Sequence, residues 1–392
     1  MKVGRKPTLF DHGRRPSSDD PFTFAEYFAG VGLARMGLEA AGWTPVFAND
    51  LDEQKRRMYE GHFGADEFFV LEDIHRLAES PEKVPHATLA HASFPCTDLS
   101  VAGRRGGLDA GQSSAFWGFH SLLEAQGEAR PQLVLLENVT GFLSSNGGQD
   151  FRSALKAMND LGYAVDPFII DAAHFVPQSR PRLFVVCDRG SDPTECLAPD
   201  ALEPSTLRPK ALLDAVTRAS DDIDWCIRSL PDLPPYGSRK LGEILDQVPA
   251  EDDQWWSQER ADYLYSQMSE RHQAVARRMM ESRKWSHGTV FRRVRNGRSM
   301  AELRTDGIAG CLRTPKGGSG RQILFQAGYG KYRVRLLNAD ECARLMGANN
   351  YHIAVSLNQA LFGFGDAVCV PVIEWIARNY LNNLVHASAC SI

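Results

Sequence analysis

Apolar positions along the chain fall in short runs, each stopped by a flexible or polar residue. "FTFAEYF" (22–28) ends at the turn "AGVG", "LARMGLEAAG" has helical spacing and closes on Gly42, and "TPVFAND" ends on Asp50. Strand, turn, helix, strand is a βαβ unit. Further runs follow: "ATLAHASF" stops before Pro95, "QLVLLEN" carries Glu137 and Asn138 at its end, and "RLFVVC" ends at Cys187. Short buried strands alternating with helical stretches predict an α/β fold, a doubly wound Rossmann-like sheet. Such a sheet binds ligands at the carboxyl ends of its strands.

Near residue 190 the pattern changes to one rich in Pro, Trp and charge. It returns to α/β character with "RLLNADECARLMG" and "VIEWIARNYLNNLV". This predicts a larger domain of residues 21–190 and 335–392, a smaller one of 191–334 inserted in it, and a mobile tail over 1–20. With 392 residues, 43% hydrophobic and 24% charged, the chain has room for a core that needs no staples. Eight cysteines without a CxxC pair or a His cluster argue against a metal site and a secreted disulfide framework. Reduced thiols and a cytoplasmic location are expected. No uninterrupted apolar run approaches about 18 residues, so no membrane span is expected. The net charge of −5 does not suit a protein that binds nucleic acid by overall charge. Residues 283–335, however, hold 13 Lys and Arg against two acids, the footprint of a phosphate-binding face. Arg292, Arg293, Arg295, Arg313 and Arg321 are its candidates for contact with phosphate or base edges.

Several residues carry candidate chemistry. Gly30 and Gly32 would let a cofactor approach the backbone, Phe28 would stack on an adenine, and Asp50 would hold ribose hydroxyls. NAD, FAD or S-adenosylmethionine fits, although Arg35 at the third-glycine position of GxGxxG weighs against a dinucleotide. Cys96, in "SFPC", ends a strand on the ligand edge and opens a Gly-rich loop. A thiol there is a strong nucleophile even when only a few per cent is thiolate. Glu137 follows four apolar residues, so desolvation should raise its pKa and favour a proton-donating form. In "QSRPRLF", Arg180 and Arg182 alternate and would face one side, as suits an anion or a carbonyl.

The order FAGVG, SFPC, ENV, QSRPR, RLLNADECARLMG, GFGDAV resembles the DNA (cytosine-5)-methyltransferases of bacteria and phages, over about residues 22–190 and 335–390. The resemblance implies S-adenosylmethionine as cofactor, bound by Phe28, Gly30, Gly32, Asp50, Asp73, Pro95, Asp366 and Val368. It implies double-stranded DNA as substrate, with a flipped cytosine methylated at carbon-5 through a covalent adduct on Cys96. Glu137, Arg180 and Arg182 would assist, with Ser100 and Gln178 on the DNA side. It also implies a target recognition domain in 191–334, a cognate restriction endonuclease as partner, and a monomer. RNA-directed relatives carry a Cys-Phe-Thr type signature in the recognition region, which is absent here. Asp366 departs from the family by replacing an Asn, and it is expected in a turn beside the glycine loop, its carboxylate near the cofactor sulfonium. Thr97 stands where Gln is common, Gln112 where Arg is common, and Cys311-Leu312 where many relatives have Thr-Leu.

Overall fold

The computed structural model describes residues 21–65, 68–95, 115–191, 202–219, 222–295, 297–314 and 320–390. The expected N-terminal tail lies outside them.

Seven strands form the larger sheet: β1 (Thr23–Tyr27), β2 (Thr44–Asp50), β3 (Phe69–Leu71), β4 (Leu89–Ala92), β5 (Leu133–Val139), β6 (Ala164–Asp171) and β7 (Pro181–Asp188). Their order is β3-β2-β1-β4-β5-β7-β6. All neighbours from β3 to β5 are parallel, but β7 runs antiparallel to both β5 and β6. The doubly wound sheet expected from sequence is thus present with a parallel majority. The chain from β6 to β7, residues 172–180, is too short for a helical crossover, which takes about a dozen residues or more, so β7 must turn back. Its first residues therefore lie at the same edge as the last residues of β1, β2, β4 and β5.

Both faces of this sheet are buried, with successive residues sorted between them. Leu133 and Leu135 join one core cluster, Val134 and Leu136 the other. On the first face pack α1 (Leu33–Ala40) and, from the end of the chain, α9 (Ala339–Leu345), α10 (Leu357–Asp366) and α11 (Val370–Ile376). On the second pack α3 (Ile74–Ala78), α4 (Ala115–Gln126), α5 (Gln149–Asp160) and α6 (Lys210–Ala219). Beyond the first face's turn lies α2 (Glu53–Phe63).

Four antiparallel strands form a second sheet, β8 (Ser286–Arg295), β9 (Arg298–Arg304), β10 (Ile323–Gly328) and β11 (Lys331–Leu336), in the order β11-β10-β8-β9. Its core joins Val290, Phe325 and Val334 to Leu264 of α7 (Gln258–Ser266) and Ala276 of α8 (Glu270–Glu281). The smaller unit was expected to begin at 191, yet α6 places Leu212, Ala215 and Val216 in the larger core and Trp225 bridges to Val165. That part of the chain packs with the larger sheet because its apolar stripe has its partners there.

Cys226 is disulfide-bonded, a departure from the expectation of reduced thiols, whereas Cys187, Cys311, Cys342 and Cys369 are free. The stretch Leu357–Ala387, which ends in α12 (Asn382–Cys390), is long and apolar enough to cross a membrane by length and composition. However, 67% of its most apolar window is buried inside the protein, which makes it part of the core.

Candidate active site

At the end of β1 the backbone takes left-handed conformations at Phe28 (φ 56°), Gly30 (φ 60°) and Gly32 (φ 78°). Such a conformation is costly for a phenylalanine and is held by its surroundings. Ala29 N donates to Asn49 O at 2.8 Å, and Gly30 N donates to Asp50 Oδ2 at 2.8 Å. The two glycines differ in what they need. A Cβ on Gly32 would lie 2.4 Å from Phe63 and 2.8 Å from Tyr59, so α2 demands the bare backbone. A Cβ on Gly30 would meet nothing nearer than Phe28 O at 3.8 Å; the space above it is open.

Asp50 also accepts from Asp52 N at 2.9 Å. Each of its oxygens keeps a second lone-pair site for a ligand hydroxyl. Beside it, Asn49 donates to Val70 O (3.0 Å) and Glu72 O (2.8 Å). That clamp brings the exposed Asp73, the cap of α3, next to the turn. Open space over Gly30 with two acids beside it suits a ribose-bearing cofactor. Asp366 is the last residue of α10 rather than part of a turn. It is half-exposed and pairs with Lys55 Nζ at 3.4 Å. The helix still abuts the glycine turn, because Gly363 packs on Val31; a Cβ there would sit 2.6 Å from it. Val368 is buried.

One strand pair further along the edge, Glu137 is buried at the end of β5. Burial pushes its pKa up, opposed by the charges of Arg182 and Arg180, and the net shift is upward. Arg182 Nε lies 3.1 Å from Glu137 Oε1. Asn138 Nδ2 donates to Phe94 O at 3.3 Å and fixes the chain that leads into Pro95. Cys96 and Ser100, with Thr97 and Gln112, lie outside the described residues.

Arg180 and Gln178 are both buried and bond within the protein. Arg180 is buried, and its guanidinium donates to Leu312 O (2.9 Å), Gly365 O (3.0 Å) and Ala367 O (2.7 Å). Gln178 is fully buried; Nε2 donates to Leu345 O and Oε1 accepts from Leu312 N, both at 2.8 Å. With Ala309 N donating to Pro177 O at 2.7 Å, residues 177–180 staple together the larger sheet, the entry to the smaller unit and the C-terminal helices. The alternation of Arg180 and Arg182 suggested a shared role. They differ in what they bond: Arg180 Nη1 and Nη2 meet backbone carbonyls, whereas Arg182 Nε meets Glu137, and both guanidinium groups come near Cys311.

Residues 22–382 match the family described as C-5 cytosine-specific DNA methylase. The chain belongs to that family. Among its relatives, the type II methyltransferase M.DsaV of Dactylococcopsis salina is 29% identical over 92% of this chain and 86% of its own length. M.HhaI of Haemophilus parahaemolyticus is 25% identical over 92% and 94%. M.HpaII of Haemophilus parainfluenzae is 32% identical, but there the chain spans about half of the relative (49%) and 46% of itself is covered. A crystal structure of the S. pombe Dnmt2 methyltransferase has the same fold, with a TM-score of 0.60 at 15% identity over 94% of this chain and 99% of that one.

The arginines of the smaller unit divide by strand alternation. Arg292 points toward α7, with its guanidinium 5.6 Å from the Trp256 ring. Arg293 and Arg295 point the other way and pair with Glu302 at 3.4 and 2.7 Å. Arg313 lies 5.3 Å from the Phe291 ring, and Arg321 donates to Asn358 at 3.1 Å. Arg293 and Arg313 line a cleft of about 330 Å³ on this face. Sequence reasoning missed Asn49, Lys55 and the fixing role of Asn138. Asn49 was findable, since an amide beside a strand-end acid is suited to holding the next loop.

Proposed function

We propose that the protein methylates carbon-5 of a cytosine in double-stranded DNA, at a specific sequence, with S-adenosylmethionine as cofactor. The observation that carries this is the grouping of the Gly30–Asp50 turn, the chain into Cys96 and the Glu137–Arg182 pair at one sheet edge. Bound S-adenosylmethionine supplies an electrophilic methyl group; Phe28, Gly30, Asp50 and Asp73 would hold it. The target cytosine leaves the duplex at a cost of a few kcal/mol. The Cys96 thiolate adds to carbon-6, which makes carbon-5 nucleophilic. Glu137, with its raised pKa, donates to ring nitrogen-3 as electrons move into the ring, and Arg182 holds the carbonyl at carbon-2. After methylation carbon-5 loses its proton and Cys96 is eliminated, which restores the ring.

The same reading assigns target recognition to the smaller unit, whose excess of basic residues supports it. It makes the enzyme a monomer acting in a bacterial or phage-infected cytoplasm, with a cognate restriction endonuclease; the type II names of its relatives support the last of these. Bisulfite sequencing of DNA from cells expressing the protein should show one methylated motif. Cys96→Ser should remove that methylation while DNA binding stays within about tenfold. Unmethylated DNA from the wild type, or full methylation by the Ser protein, would refute the mechanism.

A further inference from the structure

Cys311 stands at the meeting of the two units, on the cleft face, and the catalytic proposal leaves it without a task. Its Sγ lies 3.2 Å from Arg180 Nη1 and 4.0 Å from Arg182 Nη2, and it donates to Leu312 O at 3.3 Å. The residue is half-buried and lines the 330 Å³ cleft with Phe291, Arg293, Arg304, Arg313 and Gln322. Among the other free cysteines described, Cys187, Cys342 and Cys369 are fully enclosed, and burial pushes each thiol up, to about 12 for the last two. Burial also pushes Cys311 up, but Arg180, Arg182 and Arg313 outweigh it, and the thiol ends below its usual value. An electropositive, partly exposed setting of this kind distinguishes reactive thiols from inert ones.

A second observation concerns what the cleft would hold. Gln322 is 3% exposed; its Nε2 donates to Cys311 O at 3.2 Å, while its buried Oε1 has no partner. This acceptor borders the cleft and needs an N–H donor. Of the cleft arginines, Arg293 is paired with Glu302 and Arg304 with Asp306, and Arg313 has no ion-pair partner among the described residues. A ligand with carboxylates and an amide N–H matches both needs.

We propose that Cys311 is a modification site for carboxylate-bearing, peptide-like disulfides, and that its adduct closes the cleft to DNA. The closing of the cleft rests on the DNA methyltransferase reading; the reactivity of the thiol does not. The Cys311 thiolate attacks one sulfur of the disulfide, a new S–S bond forms to Cys311, and the other sulfur leaves as a thiolate. The bound half places carboxylates among Arg293, Arg304 and Arg313, where they repel DNA phosphates.

The test uses the full chain with Cys96→Ala, so that the nucleophile of the main reaction does not react. It is treated with glutathione disulfide, which is anionic, or with cystamine, which is cationic, and the adduct is located by peptide mass mapping. Cys311 should react with glutathione disulfide about tenfold or more faster than with cystamine. DNA affinity should fall about tenfold in proportion to the adduct and return with dithiothreitol. Cys311→Ser should take up no mass at this peptide, with its DNA affinity normalised to its own untreated value. Absence of the adduct, equal rates with the two reagents, or undiminished DNA binding by the adduct each overturns the proposal. Failure of the untreated protein to bind any duplex would instead overturn the methyltransferase reading, since adduct mass is read without DNA.

Discussion

Replacing Arg180 by lysine keeps the charge and removes the planar fork. The guanidinium now serves three backbone carbonyls, those of Leu312, Gly365 and Ala367, from two nitrogens. One ammonium on a shorter head cannot span the same three sites, so about two carbonyls lose their donor. A hydrogen bond to a charged group is worth about 1.5–3 kcal/mol, which makes the expected loss about 3–6 kcal/mol in a buried site. With an m-value of about 3 kcal/mol/M in urea, the midpoint should drop by about 1–2 M. Equilibrium unfolding followed by tryptophan fluorescence measures this directly. Arg182→Lys is the contrast. Arg182 is less buried, at 17% side-chain exposure, so its change should cost about 1 kcal/mol or less of stability and most of the methylation rate. If Arg180→Lys keeps the wild-type midpoint and loses turnover instead, the staple is wrong and Arg180 belongs with the reacting groups.

Three further outcomes are expected. Glu137 has a raised pKa, so it stays protonated above the ordinary carboxylate range, and its proton-donating form is lost as pH climbs through that raised value. The rate of the wild type should decline on that limb, and Glu137→Gln, which cannot ionise, should be slow but flat there in single-turnover assays. Gly30→Ala should fold with a loss of about 1–2 kcal/mol from its left-handed backbone and bind S-adenosylmethionine poorly by calorimetry, whereas Gly32→Ala should unfold at markedly lower temperature, because its Cβ would enter Phe63. Asp366→Asn removes an exposed ion pair with Lys55 and should change stability by under about 1 kcal/mol; a loss of cofactor affinity beyond about threefold would put Asp366 in direct contact with the cofactor.

What could be read in the sequence was whatever chemistry and strand ends share. Gly30, Asp50 and Glu137 each sit where an apolar run stops, and the run itself reports the strand. The direction of β7 was not readable, because apolar runs carry no sign; only the length of 172–180 holds that information. The internal bonds of Gln178 and Arg180 were unreadable for a related reason. Polar residues next to a strand end signal either a ligand or a backbone that needs donors, and the carbonyls that settle the matter come from residues 312, 345, 365 and 367. Such long-range partners leave no local pattern. The packing of α6 with the larger sheet was hidden in the same way, since an amphipathic stripe does not name its partner.

The first-face core draws heavily on residues after 337, including Leu345, Phe364, Ile373 and Leu381. Gly37 of α1 is packed so closely on Ile373 that a Cβ would approach it to 2.7 Å. A growing chain therefore makes β1 and its glycine turn first and the helices that cover them last. During synthesis, one side of the parallel sheet has to wait, uncovered, while more than half of the polypeptide is added. The waiting apolar face is the kind of surface that invites aggregation or chaperone capture. Shortening the chain by its last helices should thus deplete soluble protein well before it touches any residue that handles DNA.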